Sequence, residues 1–241
     1  MQVDVKQKSL TGLQGYRAKI LHFPQRSLSP KDDYCYFEDG LLVTHNEKIV
    51  FIGDYKNIIN QYDNLDLHDY TGKLLLPGFI DSHMHFPQTE MLASFGEQLL
   101  DWLTDYTFPT EHKFADYAYA QAMADVFLRQ LYRHGTTSAM VYSSVHKCAA
   151  DALFAAAQKN NMLLMAGKVC MDRNCPDWLQ DCPQTAQRES AELINTWHGK
   201  DRLHYVITPR FAPTSSEAQL AALGELAQQY PSVFIQSHLS E

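Results

Sequence analysis

From about residue 74 onward, short apolar runs alternate with amphipathic stretches of helical period, and few folds satisfy that alternation. Apolar runs at residues 74–85, 136–144, 163–170, 204–211 and 233–238 predict five strands, and helical patterns over 115–133, 147–160, 185–198 and 215–229 fall between them. A strand returned by a helix lies parallel to its predecessor, because the crossover carries the chain back to its starting edge. Gly135 and Gly199 stand just past two of the helices, where a residue free to turn left-handed stops the helix. Thr214-Ser-Ser-Glu217 predicts a capping box opening the last one. The stretch 86–110 is too long for a simple connection and holds Trp102, Tyr106 and Phe108, so it reads as an elaborated loop over one end of the sheet.

Before residue 74 the pattern differs. Short runs such as 16–23, and 41–43 joined to 49–52 across His45-Asn46-Glu47-Lys48, alternate apolar and polar positions, which predicts antiparallel β structure with hairpins. The chain therefore divides into an N-terminal β portion, residues 1–76, and a series of βα units, residues 77–241. The expected class is α/β, a (β/α)8 TIM-type barrel that is incomplete, since closure takes eight strands and five are legible. Unpaired strand edges expose backbone groups and apolar faces. The sequence is thus expected to be a fragment of a longer protein or to be completed by another chain.

Two of the strands end in histidine. The run LLLPGFIDSHMHF reads as a buried strand, entered through the Pro77-Gly78 turn, that finishes on His83 and His85. Side chains at i and i+2 share a face, with Cα atoms about 6.6 Å apart at a rise of about 3.3 Å per residue. An ion with bonds of about 2.05 Å in tetrahedral geometry needs ligand nitrogens about 3.3 Å apart, so both imidazoles converge without strain. The run VFIQSHLSE repeats the arrangement with His238 and adds Glu241, a carboxylate placed to take a proton from water beside a metal. Histidine with carboxylate suits one divalent ion, Zn²⁺ foremost, with Fe²⁺ compatible.

Composition removes other classes. A net charge of −8, without a Lys/Arg cluster, argues against nucleic acid or an anionic membrane as partner. No charged leader with an apolar core and no apolar stretch of 18 residues is present, so a cytoplasmic location is expected. Cys35, Cys148, Cys170, Cys175 and Cys182 are an odd number with no CxxC spacing, which predicts free thiols and no second metal site.

The segments PGFIDSHMHFPQ, LLDWLTDYTFPTEHKF, HGTTS, GKVCMDRN, ITPRFAPT and QSHLSE together resemble the amidohydrolase superfamily and, within it, the N-terminal part of the guanine deaminase family. The resemblance implies a metal-dependent barrel flanked by a small β-sandwich built from both chain ends. It implies His83, His85 and His238 as metal ligands and Glu241 as the catalytic proton shuttle. A further histidine and an aspartate would come from later strands that this sequence does not contain. His85, His238, Gln88, Arg210 and Phe211 would contact the substrate. An arginine fork suits the six-position oxygen and seven-position nitrogen of guanine, a phenylalanine stacks on the purine face, and a glutamine offers a donor and an acceptor. Binuclear members carry a carboxylated lysine at the end of the fourth strand, where residues 206–211 hold Arg210 and no lysine, which favours a mononuclear deaminase.

The implied reaction is hydrolysis of guanine to xanthine and ammonia by a metal-activated water, in a protein that is a homodimer when full length. The alternatives are another mononuclear amidohydrolase, such as a different purine or pyrimidine deaminase, and an inactive truncated fragment.

Overall fold

The computed structural model describes residues 11–24, 34–62 and 64–239, in two compact units, Met1–Pro77 and Gly78–Glu241. In the first unit β1 (Leu13–His22), β2 (Cys35–His45) and β3 (Lys48–Asp54) are followed by the single turn α1 (Tyr55–Ile58) and by β4 (Leu65–Leu75). The sheet order is β3-β2-β1-β4. The β2–β3 hairpin turns on Asn46 and Glu47, both at positive φ (49° and 63°), as a two-residue loop matching strand twist demands. Alternate positions Leu13, Leu41, Val43 and Phe51 pack with Ile58 and Tyr62 into a small core.

One expectation for this unit is corrected. β1 pairs antiparallel with β2 but parallel with β4, so the sheet is mixed. Period-two alternation reports which face is buried and not which way a neighbour runs; the connection through α1 sets the direction of β4.

The second unit opens with β5 (Phe79–His85), and its connection to the next strand is largely helical, contrary to the expected loop. It contains a 3-10 segment (Phe86–Met91), α2 (Leu99–Trp102), a π turn (Leu103–Thr107) and α3 (Phe108–His112). Pro109 lacks an N–H, and its ring would meet the carbonyl four residues back, so the widened turn before it accommodates the proline. Then follow α4 (Tyr117–Arg133), β6 (Thr136–Tyr142), α5 (Lys147–Lys159), β7 (Leu163–Gly167), β8 (Val169–Cys170), α6 (Pro183–Trp197), β9 (Leu203–Pro209), α7 (Glu217–Gln229) and β10 (Phe234–Ile235).

Among the described residues, five strands in the order β10-β9-β7-β6-β5 form a parallel sheet, with β8 paired to β9. The helices lie on it through small residues, Ala120 and Ala124 of α4 and Ala149, Ala152 and Ala156 of α5, beside Leu128, Leu153 and Leu193. Gly167 is required at its position, since a Cβ there would stand 1.8 Å from the Val206 carbonyl oxygen of β9. No helix among the described residues is long and apolar enough to cross a membrane.

Local expectations shift in four places. The predicted strand 74–85 is two strands, because Leu74 and Leu75 pair with Lys19 and Ile20 in the first sheet. β5 starts only after Pro77-Gly78 and is not buried: Phe79 and Ile80 are 56% and 77% exposed. The last strand shortens to Phe234–Ile235, with an isolated bridge between Phe211 and His238. The last helix is capped by Ser216, whose Oγ accepts from Gln219 N at 3.1 Å, while the Thr214 hydroxyl donates to Phe211 O at 3.3 Å.

Candidate active site

β5 presents His83 and His85 on one face, as an i, i+2 pair must. In the β5–β6 register His85 lies beside Tyr142, whose ring stacks on the imidazole at 4.7 Å and 15°. Tyr142 also lies 5.2 Å from the His83 ring and 4.5 Å from that of His238. It forms a buried aromatic base beneath all three imidazoles.

His238 arrives from the other end of the sheet. Its N–H donates to Arg210 O at 3.1 Å, and its Nδ1 approaches the same oxygen at 2.7 Å. A carbonyl only accepts, so Nδ1 carries the ring proton and the Nε2 lone pair is turned outward. That Nε2 stands 3.1 Å from Nε2 of His85.

The residues fit a metal. One ligating nitrogen from each of His83, His85 and His238 lies within 4.8 Å of the others, and the 3.1 Å between His85 and His238 is near the ~3.3 Å that two tetrahedral ligands of one ion adopt. The Nδ1–carbonyl bond of His238 is the outer contact that fixes the tautomer of ligating histidines. Burial, with the nearby Arg210 charge and the other two imidazoles, pushes the His85 imidazole down to about 3, which keeps it in the neutral, ligating form. Its buried Nδ1 has no hydrogen-bond partner.

Above the histidines opens a cleft of about 410 Å³, lined by His83, Met84, His85, Gln88, Leu99, Trp102, Leu103, Arg210, Phe211 and His238. Phe211 is 8% exposed, and its ring centroid lies 6.3 Å from that of His238. Trp102 donates from Nε1 to Ser94 O at 3.1 Å, which anchors one wall. Arg210 is 3% exposed, and its Nη1 donates to both carboxylate oxygens of Glu111, at 3.0 and 2.9 Å. Burial raises the Glu111 carboxyl above its ordinary range, outweighing the guanidinium that pulls it down.

The amidohydrolase family signature matches residues 74–241, the whole of the βα series with its histidines. The chain belongs to the amidohydrolase family. Among curated amidohydrolase relatives it is 48% identical over 207 residues to the guanine deaminase of Escherichia coli strain K12, covering 86% of this chain and 47% of that protein. A solved E. coli guanine deaminase superposes with a TM-score of 0.89 at 43% identity, covering 94% of this chain and 53% of that one. A guanine deaminase from C. acetobutylicum with guanine bound in its active site matches with a TM-score of 0.84 at 29% identity, over 95% and 54% of the two chains. The chain spans about half the length of the curated relatives it matches.

Within this amidohydrolase site, His83, His85, Gln88, Arg210, Phe211 and His238 all line one cleft. Glu241 lies outside the described residues. Two residues that contact this set, Tyr142 and Glu111, were not singled out by their spacing. Tyr142 carried a faint signal, as the last residue of a strand paired in register with the His-x-His strand. Glu111 carried a clearer one: Thr107, Glu111 and Phe114 recur at helical spacing as a buried face, with a carboxylate among them.

Proposed function

We propose that the chain carries the metal-binding and base-recognition portion of a guanine deaminase, which hydrolyses guanine to xanthine and ammonia. The observation that carries this reading is a buried guanidinium and a phenylalanine, Arg210 and Phe211, opening into the same cleft as three converging imidazoles. The similarity to guanine deaminases, one with guanine bound, supports it.

In this reading His83, His85 and His238 hold one divalent ion, zinc or iron(II). When bound, the ion supplies Lewis-acid activation of water at neutral pH. Arg210 donates to the six-position oxygen and seven-position nitrogen of the purine, Phe211 packs against its face, and Gln88 meets a further edge. His85 and His238 border the reacting carbon. Glu241 takes the proton of the attacking water and delivers it to ring nitrogen three. A second proton accompanies the exocyclic amine as it leaves carbon two as ammonia. Reuse of one general acid/base contributes about 10² to 10⁴ in rate. The same reading makes the complete protein a cytosolic homodimer.

The test is equilibrium binding to the zinc-supplied chain, with ammonia release followed in the same samples. Guanine binds in preference to adenine, which presents a donor where guanine presents an oxygen acceptor. Equal affinity for the two bases would overturn the reading.

A further inference from the structure

We propose that Glu111 is a positioning residue for base recognition: by holding Nη1 of Arg210 it aims the rest of the guanidinium at the purine. The proposal rests on the guanine reading above and adds to it a residue 99 positions earlier in the chain, on α3.

The geometry is that of a clamp. At its backbone Arg210 is tied to His238, through the carbonyl oxygen that receives both His238 N–H and Nδ1. At the far end of its side chain Nη1 meets both oxygens of Glu111. Phe108 covers the guanidinium, with Cζ 5.5 Å from its ring centroid. Arg210 is thus fixed at two points, one a candidate metal ligand and the other a carboxylate on a separate element.

The donor count gives this a purpose. A guanidinium has five N–H donors in a rigid fork. Among the described residues Glu111 is its hydrogen-bond partner, through Nη1 alone, which leaves Nε and Nη2 for a ligand in the cleft. A purine edge with two adjacent acceptors needs a fork in a set plane at a set distance from the reacting carbon. An arginine free at its tip would lose that alignment by rotating about its long side chain. Glu111 is itself fully buried, between Thr107 and Phe114 on the inward face of the helical segment, so it keeps the fork in place without moving. A carboxylate serving only to neutralise charge has no need to leave Nε and Nη2 without partners on a residue that lines the cleft.

The experiment compares guanine with 2-aminopurine, the same ring system without the six-position oxygen, by calorimetric titration of the zinc-supplied chain. The unaltered chain favours guanine by about 5- to 150-fold, the range for one bidentate base contact. Glu111→Gln lowers that ratio at least five-fold, chiefly through guanine. Glu111→Asp keeps the charge, withdraws it by one methylene, and lowers the ratio less; it carries the test alone if the glutamine variant does not fold. The doubly neutral Glu111→Met/Arg210→Met chain gives the baseline with no fork.

A purely structural role would weaken both ligands together, so an unchanged ratio in the Glu111 variants overturns the positioning role alone. Equal binding of the two purines, or of neither, by the unaltered chain overturns the guanine reading and this inference with it.

Discussion

Nε2 of His85 lies 3.1 Å from Nε2 of His238, although the two residues are 153 positions apart and sit at opposite ends of the sheet path. Four strand spacings separate β5 from β10, about 19 Å if the sheet were flat. The sheet therefore curls strongly, as a segment of barrel wall does. The histidine cluster is a product of that curvature: it forms where the ends of β5 and β10 turn toward each other.

Removing His85 or His238 breaks the 3.1 Å pair. Each alanine variant is expected to lower zinc affinity by more than the roughly 10–100-fold that loss of an outer-shell partner costs. Chelator competition measures it, and cobalt substitution reports the same change as loss of tetrahedral absorption bands. Affinity within three-fold of the parent would contradict a shared ion.

The Arg210–Glu111 pair makes a pH-dependent prediction. Arg210→Met leaves Glu111 buried without its cation, a change that costs about 3–5 kcal/mol when the group stays charged. Burial already raises this carboxyl, so it is stabilising to the fold when protonated. Its contribution is present below the unfolded value near 4.5 and lost as pH rises through the raised folded value. Urea unfolding of the variant at a series of pH values is therefore expected to give a deficit that is small near pH 4.5 and grows toward pH 8. A deficit independent of pH would count against a buried, uncompensated carboxylate.

Lys168, fully buried at the end of β7, bonds Asp181 at 2.5 Å and Glu189 at 3.1 Å. Burial lowers its ammonium, but Cys170, Asp181 and Glu189 together carry it above 10.5. The stability it contributes is fully present below 10.5 and lost as pH rises through the raised value. Lys168→Met is expected to destabilise by about 3–5 kcal/mol at pH 7, since Asp181 is left buried and unpaired. Denaturant midpoints at pH 7 check it; a loss under about 1 kcal/mol would mean the carboxylates find other partners.

Gly167→Ala is a test of packing without charge. The new methyl cannot occupy the space of the Val206 carbonyl, so β7 and β9 must separate. Overpacking of this kind costs about 1–3 kcal/mol, visible as a lowered unfolding midpoint. An unchanged midpoint would show that the strand ends are freer than this close contact implies.

Much of the fold was legible because its determinants are local. Helical periodicity located α4, α5, α6 and α7 to within about two residues of their observed ends. Boundaries moved where a competing hydrogen bond won, as when Ser216 took the cap of α7 and Thr214 turned back to Phe211. The apolar run ahead of His83 misled because apolar character marks a surface that must be covered, and does not say by which sheet. Leu74 and Leu75 joined the first sheet, and Phe79 and Ile80 are exposed.

By itself the sequence determined the order of βα units, their parallel direction, the shared face of His83 and His85, and a third histidine, His238, just past the last strand. Each follows from spacing along a strand or helix, which the chain carries in its own periodicity. Tertiary structure alone decided that β4 runs parallel to β1, that Tyr142 lies under the imidazoles, and that Glu111 grips Arg210 across 99 positions. Those relations depend on how a twisted sheet curls and where a crossover returns, and such long-range geometry has no signature in the spacing of neighbouring residues.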